Sequence, residues 1–228
     1  MTIILAIETS TELASVSLST GERIISRDLT GVQTHSHGLL PALQTLLVEA
    51  ELQLGQVNAI AFGCGPGAFT GTRTACGVVQ GLAFGLDVPV ISVVSLANMA
   101  EAANTNSGWD DMLCLLDARM DEVYWAHYRG RKGQWHEVVA PSLSTLDAAL
   151  SYAHANSLPL VLGNGLDVPT THTNFMITNA MPHSSFAIPI AMHAFERGLL
   201  LNAADAQPLY LRNKIAQTTA ERQLQRGV

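Results

Sequence analysis

Charge is the scarcest property of this 228-residue chain: Asp, Glu, Lys and Arg together make up 14% of it. With 12 basic against 19 acidic residues, the formal net charge is −7. That balance excludes a chain that grips nucleic acid unaided through a broad basic face. A basic patch is confined to Arg129, Arg131 and Lys132. Cysteine is scarce as well. Cys64, Cys76 and Cys114 form no CxxC pair and are odd in number, which excludes a disulfide framework and fits buried, reduced thiols. No charged region precedes a long apolar run at the start, because residues 1–7 lead straight into Glu8-Thr9-Ser10. The apolar stretch over 75–94 is broken by Gly85, Asp87 and Pro89, so no membrane span is expected. The expectation is a soluble, cytoplasmic protein.

Apolar residues, by contrast, are abundant: the hydrophobic fraction is 48% and the mean hydropathy +0.23, so a sizeable core is easily built. Low charge with that hydropathy also points to apolar surface covered by another subunit. The length gives room for two small domains or one large one.

The stretch around which the chain is organised is Gly63-Cys64-Gly65-Pro66-Gly67-Ala68-Phe69-Thr70-Gly71-Thr72-Arg73. A buried strand over 57–62 precedes it and an apolar helix over 74–86 follows. Such a turn can leave its amides exposed beside a helix N-terminus that attracts anions, and its glycines permit positive φ and close approach of another backbone. A Walker A loop would need a lysine directly after Gly71, and none is there. The dinucleotide fingerprint G-x-G-x-x-G is not met either, since Gly65, Gly67 and Gly71 give G-x-G-x-x-x-G. The plain alternative is a tight structural turn. Neither an H-E-x-x-H motif nor a G-x-S-x-G elbow occurs, which leaves a peptidase without a metal or an activated nucleophile.

Before this loop, residues 3–7 read as a central strand, 14–19 as a half-buried alternating strand and 23–29 as a third. The turn Glu8-Thr9-Ser10-Thr11 either presents hydroxyls and a carboxylate to a phosphate–metal group or simply caps a hairpin. A leucine-rich helix follows, with Leu39/Leu43/Leu46 on one stripe and Leu40/Leu47/Leu54 on another, the second wanting its own partner. His35 and His37 lie two apart, which does not place them on one helical face for a metal. In the helix after the loop, Gly77, Gly81 and Gly85 recur every fourth residue. Each costs about 1 kcal/mol against alanine, so a neighbouring backbone is expected to come close. That neighbour is either the chain's own leucine helix or another subunit. A strand over 88–94 and a short helix over 96–103 lead to Asn104-Thr105-Asn106-Ser107-Gly108, the clearest break.

The second half repeats the plan in weaker form: strands over 112–116, 122–128 and 134–139, a helix over 143–156, a strand over 159–162 and a last helix pattern within 183–200. The expected division is an N-terminal lobe over 1–104, a C-terminal lobe over 109–212 and a loose tail over 213–228. Asp117, Asp121 and Glu122 form either a carboxylate site or turn residues held by Arg119.

Several runs carry a resemblance: Ile4-Leu5-Ala6-Ile7-Glu8-Thr9-Ser10, His35-Ser36-x-x-Leu39-Leu40-Pro41, Gly65-Pro66-Gly67-x-Phe69-Thr70-Gly71-x-Arg73, Gly81-Leu82-Ala83, Asp117-Ala118-Arg119-Met120-x-Glu122-Val123-Tyr124 and Pro208-Leu209-Tyr210-Leu211-Arg212. Together they resemble the bacterial TsaB (YeaZ) family over nearly the whole chain. The resemblance implies an α/β, actin/Hsp70/sugar-kinase-like (ASKHA) fold of two related βββαβαβ-type lobes, the second reduced. It also implies a non-catalytic subunit for N6-threonylcarbamoyladenosine (t6A) modification at position 37 of tRNAs reading ANN codons. Such a subunit pairs with the paralogue TsaD, which does the chemistry, and the ATPase TsaE binds the pair. ATP and metal then belong to the partner subunits, tRNA is met only through the complex, and the same surface is available to a homodimer when the partner is absent.

The positions matching TsaD's two metal-binding histidines are Ser95 and Met99, so the metal site looks lost. The second-lobe phosphate loop carries Ala118-Arg119-Met120 where ATP-binding relatives have small glycines. By this resemblance no residue here is catalytic or metal-binding. The partner surface falls on Leu39, Leu40, Leu43, Leu47, Gly77, Gly81 and Gly85, and Asp117, Arg119 and Glu122 mark a family turn. The alternatives kept beside it are a metal-dependent glycoprotease-like peptidase and a small-molecule kinase of the same fold.

Overall fold

The computed structural model describes residues 2–29, 35–163, 165–168 and 174–212, without the side chains of His35 and Ser36. The tail expected over 213–228 lies outside them, as do Thr34 and Asn164. The first half runs β1 (Ile4–Glu8), β2 (Ala14–Ser19), β3 (Ile24–Leu29), α1 (His35–Glu49), β4 (Ala59–Gly65), α2 (Phe69–Leu86), β5 (Val90–Val94) and α3 (Ser95–Ser107). The second runs β6 (Asp111–Arg119), β7 (Glu122–Arg131), β8 (Gln134–Thr145), α4 (Leu146–Ala155), β9 (Leu160–Leu162), β10 (Ile177–Asn179) and α5 (Ser184–Glu196). Their strands form two sheets, ordered β3-β2-β1-β4-β5 and β8-β7-β6-β9-β10. The order is the same in both. In each, the first three strands are an antiparallel meander and the last two join in parallel through crossovers. The second copy is the reduced one: among the described residues no helix joins β9 to β10.

The sheets are stacked with helices between and outside them. α1 and α2 cover the outer face of the first sheet, where Leu39, Leu43, Leu46, Val79 and Ala83 meet Leu5, Val16 and Phe62. α4 covers the outer face of the second through Ala149, Leu150 and Ala153. In the middle the halves exchange helices. α3, from the first half, packs Leu96, Met99, Ala100 and Ala103 against Met112, Cys114 and Tyr128 of the second sheet. α5, from the second half, packs Ala187, Ile188 and Ala191 against Ile4, Ala61 and Ile91 of the first.

This exchange explains the largest departure from the sequence reading. β2 alternates serine with apolar residues, yet all six of its residues are buried. Its serine face is covered by α5: Ser15 Oγ accepts from Ser184 N at 2.9 Å, and Ser17 Oγ lies 2.7 Å from Ser184 Oγ and 2.8 Å from Ser26 Oγ. A covering element so distant in sequence leaves no trace in local periodicity. Other boundaries move for local reasons. α2 begins at Phe69, five residues before its expected start, so Gly71 and Arg73 are helical rather than part of the loop. The polar run 104–107 is the last turn of α3, closed by Gly108 at φ +73°. β8 continues through Pro141 to Thr145, and as an edge strand it loses no ladder bond to the proline that need be satisfied.

Leu39, Leu43 and Leu47, expected on a partner surface, instead fill the chain's own first core, and of the four leucines only Leu40 is exposed. The other expected explanation for the glycine stripe also fails in its internal form. A Cβ on Gly77, Gly81 or Gly85 would meet no atom within 4 Å, so α1 does not press on that face.

Because α5 ties the second half to the first sheet, the halves should unfold together. Ile188→Ala should cost about 2–5 kcal/mol. Trp109, Trp125 and Trp135 all lie in the second half, so their fluorescence in urea should shift its midpoint as far as far-UV circular dichroism does. A tryptophan transition unmoved by the substitution would show that the halves unfold independently.

Candidate functional site

The glycine loop is shaped by what it leans on. A Cβ on Gly63 would fall within the Glu8 carboxylate, and one on Gly67 would overlap the Ser10 carbonyl. Ala68 N donates to Ser10 O at 2.6 Å, and Thr9 Oγ1 donates to Gly71 O at 2.7 Å. Gly65 sits at φ +99° beside a cis Gly65–Pro66 bond. Glycine is therefore required here for close backbone approach. The loop is locked onto the β1–β2 turn, and that turn is a buried anchor rather than an open hydroxyl array.

Between the two sheets lies a cavity of about 1340 Å³. Its walls are the β1–β2 turn (10–12), the first turns of α2 (69–74), the β6–β7 hairpin (117–119) and the C-terminal segment 209–212. Thus Gly67, Phe69, Thr70, Gly71, Arg73, Asp117 and Arg119 are brought together, while Gly65, Pro66 and Glu122 do not line the cavity. Leu40, Gly77, Gly81 and Gly85 are not part of this group; they lie along the exposed faces of α1 and α2. Arg73 is held by a stack: its guanidinium lies 3.6 Å from the Phe69 ring centre, and its Nε donates to Tyr210 Oη at 2.7 Å. The C-terminal segment is stitched along the same helix. Cys76 Sγ and Gln80 Nε2 both donate to Ala206 O, and Leu209 N donates to Cys64 O at 2.7 Å. It then crosses to the second lobe, where Arg212 pairs with Glu122 at 2.7 Å.

The acidic run of the family turn is internally matched. Arg119 pairs with Asp117 at 2.8 Å, and the Arg119 amide donates to Asp117 Oδ1 at 2.8 Å. That amide is therefore not turned to a phosphate, and the turn reading of this cluster is the one the geometry follows. Among the described residues no group of three or more His, Cys, Asp or Glu is placed to hold a metal. Ser95 Oγ is directed at Glu8 Oε2 at 3.3 Å, and Met99 is fully buried in the second core. Neither lines the cavity, so neither is placed to hold a metal there.

Two further polar strings lie away from the cavity. Asp28, His183 and Ser185 line up, with His183 Nε2 at 2.8 Å from Asp28 Oδ1 and Nδ1 at 2.7 Å from Ser185 Oγ. His183 Nδ1 also accepts the Ser185 amide at 3.1 Å, which makes the imidazole the N-cap of α5 and places the ring proton on Nε2. In the second string, buried His127 bridges Asp111 at 2.6 Å and Tyr152 at 2.9 Å. Burial alone would raise the Asp111 carboxyl, but the hydrogen bonds from His127 and Arg129 outweigh it and hold it below 3.8.

Sequence reasoning placed the loop and the family turn but not their supports, Glu8, Tyr210 and Arg212. Tyr210 and Arg212 stood in the Pro208–Arg212 run that carried the resemblance, yet nothing local says that this run returns to the loop.

The duplicated strand order with a cavity between the sheets defines an α/β protein of the actin/Hsp70/sugar-kinase class. Residues 25–197 match the TsaD family, tRNA N6-adenosine threonylcarbamoyltransferase. Over 224 residues the chain is 33% identical to the tRNA threonylcarbamoyladenosine biosynthesis protein TsaB of Haemophilus influenzae, covering 93% of this chain and 94% of that one. The Escherichia coli TsaB protein is 33% identical over 223 residues, 93% of this chain and 96% of that one. The solved structure of YeaZ from Pseudomonas aeruginosa superposes with a TM-score of 0.78 at 35% identity, over 92% of this chain and all of that one. The chain belongs to the TsaB (YeaZ) family.

Glu8 gives the site a pH signature. Burial raises its carboxyl above 4.5, only partly offset by hydrogen bonds from Ser10 and Ser95. The same burial, with Glu8 nearby, pushes the Cys64 thiol up to about 12. Above 4.5 the unfolded chain has released the Glu8 proton while the folded chain still holds it. The folded state then binds more protons, so stability falls as pH rises from that point until the folded carboxyl also ionises. Glu8→Gln should flatten this slope, read as the urea midpoint between about pH 5 and pH 8; a slope identical to wild type would assign it to another group.

Proposed function

We propose that this chain is the non-catalytic subunit required for t6A formation at position 37 of tRNAs reading ANN codons, acting in the cytoplasm as a heterodimer with TsaD to which TsaE binds. The end-to-end likeness to TsaB proteins, which are named for tRNA threonylcarbamoyladenosine biosynthesis, carries this reading. The cavity supports it. Its hairpin amide is committed to Asp117, and Ser95 and Met99 are committed to Glu8 and to the core. ATP and metal are then the partners' contribution, and tRNA is reached through the complex. No helix among the described residues is long and apolar enough to cross a membrane.

The surface for TsaD is the outward side of α1 and α2. Phe84 is 84% exposed there, Val48 78% and Leu40 48%, and the bare backbone at Gly77, Gly81 and Gly85 leaves room for another chain to approach. Apolar groups so exposed on helices of low charge mark a covered surface, and the same face serves a homodimer when TsaD is absent.

Threonylcarbamoyl transfer to tRNA by TsaD and its other partners should require this chain, and this chain should give none when TsaD is omitted. Transfer without TsaD would make it an enzyme; transfer unaffected by its presence would reduce the likeness to fold alone. Gly81→Leu should leave the monomer folded, since the site is open, and weaken TsaD binding at least about 10-fold. Equal binding would exclude the glycine face.

A peptidase reading has one observation in its favour, the Asp28–His183–Ser185 string. Its imidazole already caps α5, and none of the three residues lines the cavity between the sheets. Ser185→Ala should therefore leave TsaD-dependent transfer unchanged, whereas a serine hydrolase would lose all hydrolysis.

A further inference from the structure

The basic run Arg129-Gly130-Arg131-Lys132-Gly133 belongs neither to the cavity nor to the α1–α2 face. Nowhere else in the chain do three basic residues fall within four positions. The run forms the turn of the β7–β8 hairpin, with Lys132 and Gly133 at the tip and Arg131 paired with Gln134. Two residues back, Arg129 lies opposite His136. Side chains alternate along a strand, and residues directly opposed in an antiparallel pair share a face. Arg129, Arg131, Gln134 and His136 therefore stand on one face, and all four are exposed. It is also the face of His127, which meets Tyr152 of α4, so the group lies on the outer side of the second sheet where α4 no longer covers it. Glu137, opposite Tyr128, falls on the other face.

The hairpin is a fixed support. Oε2 of the buried Glu101 in α3 accepts from Gly133 N at 2.7 Å and from Trp135 Nε1 at 2.8 Å. A Cβ on Gly133 would overlap the Pro189 carbonyl of α5. Gly130 N donates to Asp110 O at 2.8 Å. Both exchanged helices thus seat the tip. Its charges, unlike most others, are unmatched. Arg27, Arg119, Arg129 and Arg212 each pair with a carboxylate of the chain. Among the described residues neither Arg131 nor Lys132 has such a pair. Asp111, on their face, is taken by Arg129 and His127, and Asp110 meets the hairpin through its carbonyl.

We propose that the β7–β8 hairpin is this chain's own contact for the phosphodiester backbone of the tRNA. The inference rests on reading the chain as a subunit of the t6A machinery, whose substrate is a polyanion. A formal charge of −7 repels phosphate from most of the surface, so a passing backbone is admitted where cations are locally unmatched. Guanidinium and ammonium both meet phosphate oxygens, and Gln134 and His136 beside them add hydrogen-bond donors. Two such cations contribute a salt slope of only about −1.4 to −1.8. That is too little to hold tRNA unaided, and it counts when added to contacts made by TsaD. The hairpin stands at the end of β6 and β7 remote from the turn at 117–122, so this contact is separate from the cavity.

The test uses the full chain in complex with TsaD and TsaE, with labelled tRNA titrated at salt concentrations from about 50 to 200 mM. Arg131→Gln and Lys132→Gln, made singly and together, remove charge while keeping a long side chain. Arg197→Gln, at an exposed arginine after α5, is the charge-matched control. Each hairpin variant should reduce the steepness of the salt slope by about 1. The double variant should bind tRNA about 10-fold more weakly, with Tm and TsaD affinity as in wild type. Arg197→Gln should change neither affinity nor slope. Unchanged tRNA affinity and slope in the double variant would overturn the contact. Equal loss in Arg197→Gln would overturn it too, by assigning the effect to net charge. Weakened TsaD or TsaE binding with tRNA affinity intact would give the hairpin to an acidic protein surface instead. Threonylcarbamoyl transfer that does not depend on the wild-type chain would overturn the subunit reading, and this inference with it.

Discussion

The exchange of α3 and α5 between the two halves is the constraint on which the rest of the structure depends. A sheet with one buried face needs one covering layer; each sheet here is buried on both faces and needs two. Outer cover comes from each half's own helices, α1 and α2 or α4. Inner cover comes from the helix of the opposite half. Neither sheet can therefore bury its inner face alone, and the gap that remains at one end of the joint is the cavity. The two copies of the strand plan are related as topologies, yet each takes its inner cover from the other.

Within that joint a single buried carboxyl sets local geometry. Glu8 occupies the space where Gly63 would carry a side chain, receives Ser95 from the start of α3, and binds the turn that receives the glycine loop. Sheet, exchanged helix and loop meet on that group. Burial without a cationic partner favours its neutral form, which suits a structural anchor. The carboxyl at the end of the first strand thus works as a packing element.

Much of the fold was legible because its signals are local. The continuous apolar β1 and β4, the meander before α1 and the repeat after residue 108 could each be read from spacing and turn residues. What escaped was non-local or ambiguous. The serines of β2 looked solvent-facing because α5, some 170 positions later, covers them. The leucines of α1 showed two stripes, and periodicity cannot tell a wide core-facing face from a divided one; Leu47 joined the core and Leu40 did not. The candidate site was half legible. Glycines and the Asp-Ala-Arg turn announced themselves by composition, but the segment 206–212 that connects them has no periodic signature, only a position in space.

That segment gives α2 its central place. Along its outward face the helix has exposed glycines and Phe84; along its inner side Cys76 and Gln80 hold Ala206; at its first turns Phe69 and Arg73 hold Tyr210. The chain then continues two residues to Arg212, which donates to the carbonyls of Ala118 and Arg119 in the β6–β7 turn. A path of direct contacts therefore runs from the outer helix face, along one rigid helix and one extended segment, to a turn in the other lobe. Rigid elements transmit displacement only if their joints are tight, and here each joint is a named hydrogen bond, stack or ion pair. The outward face of α2 and the β6–β7 turn are thereby held in fixed relation across the two halves.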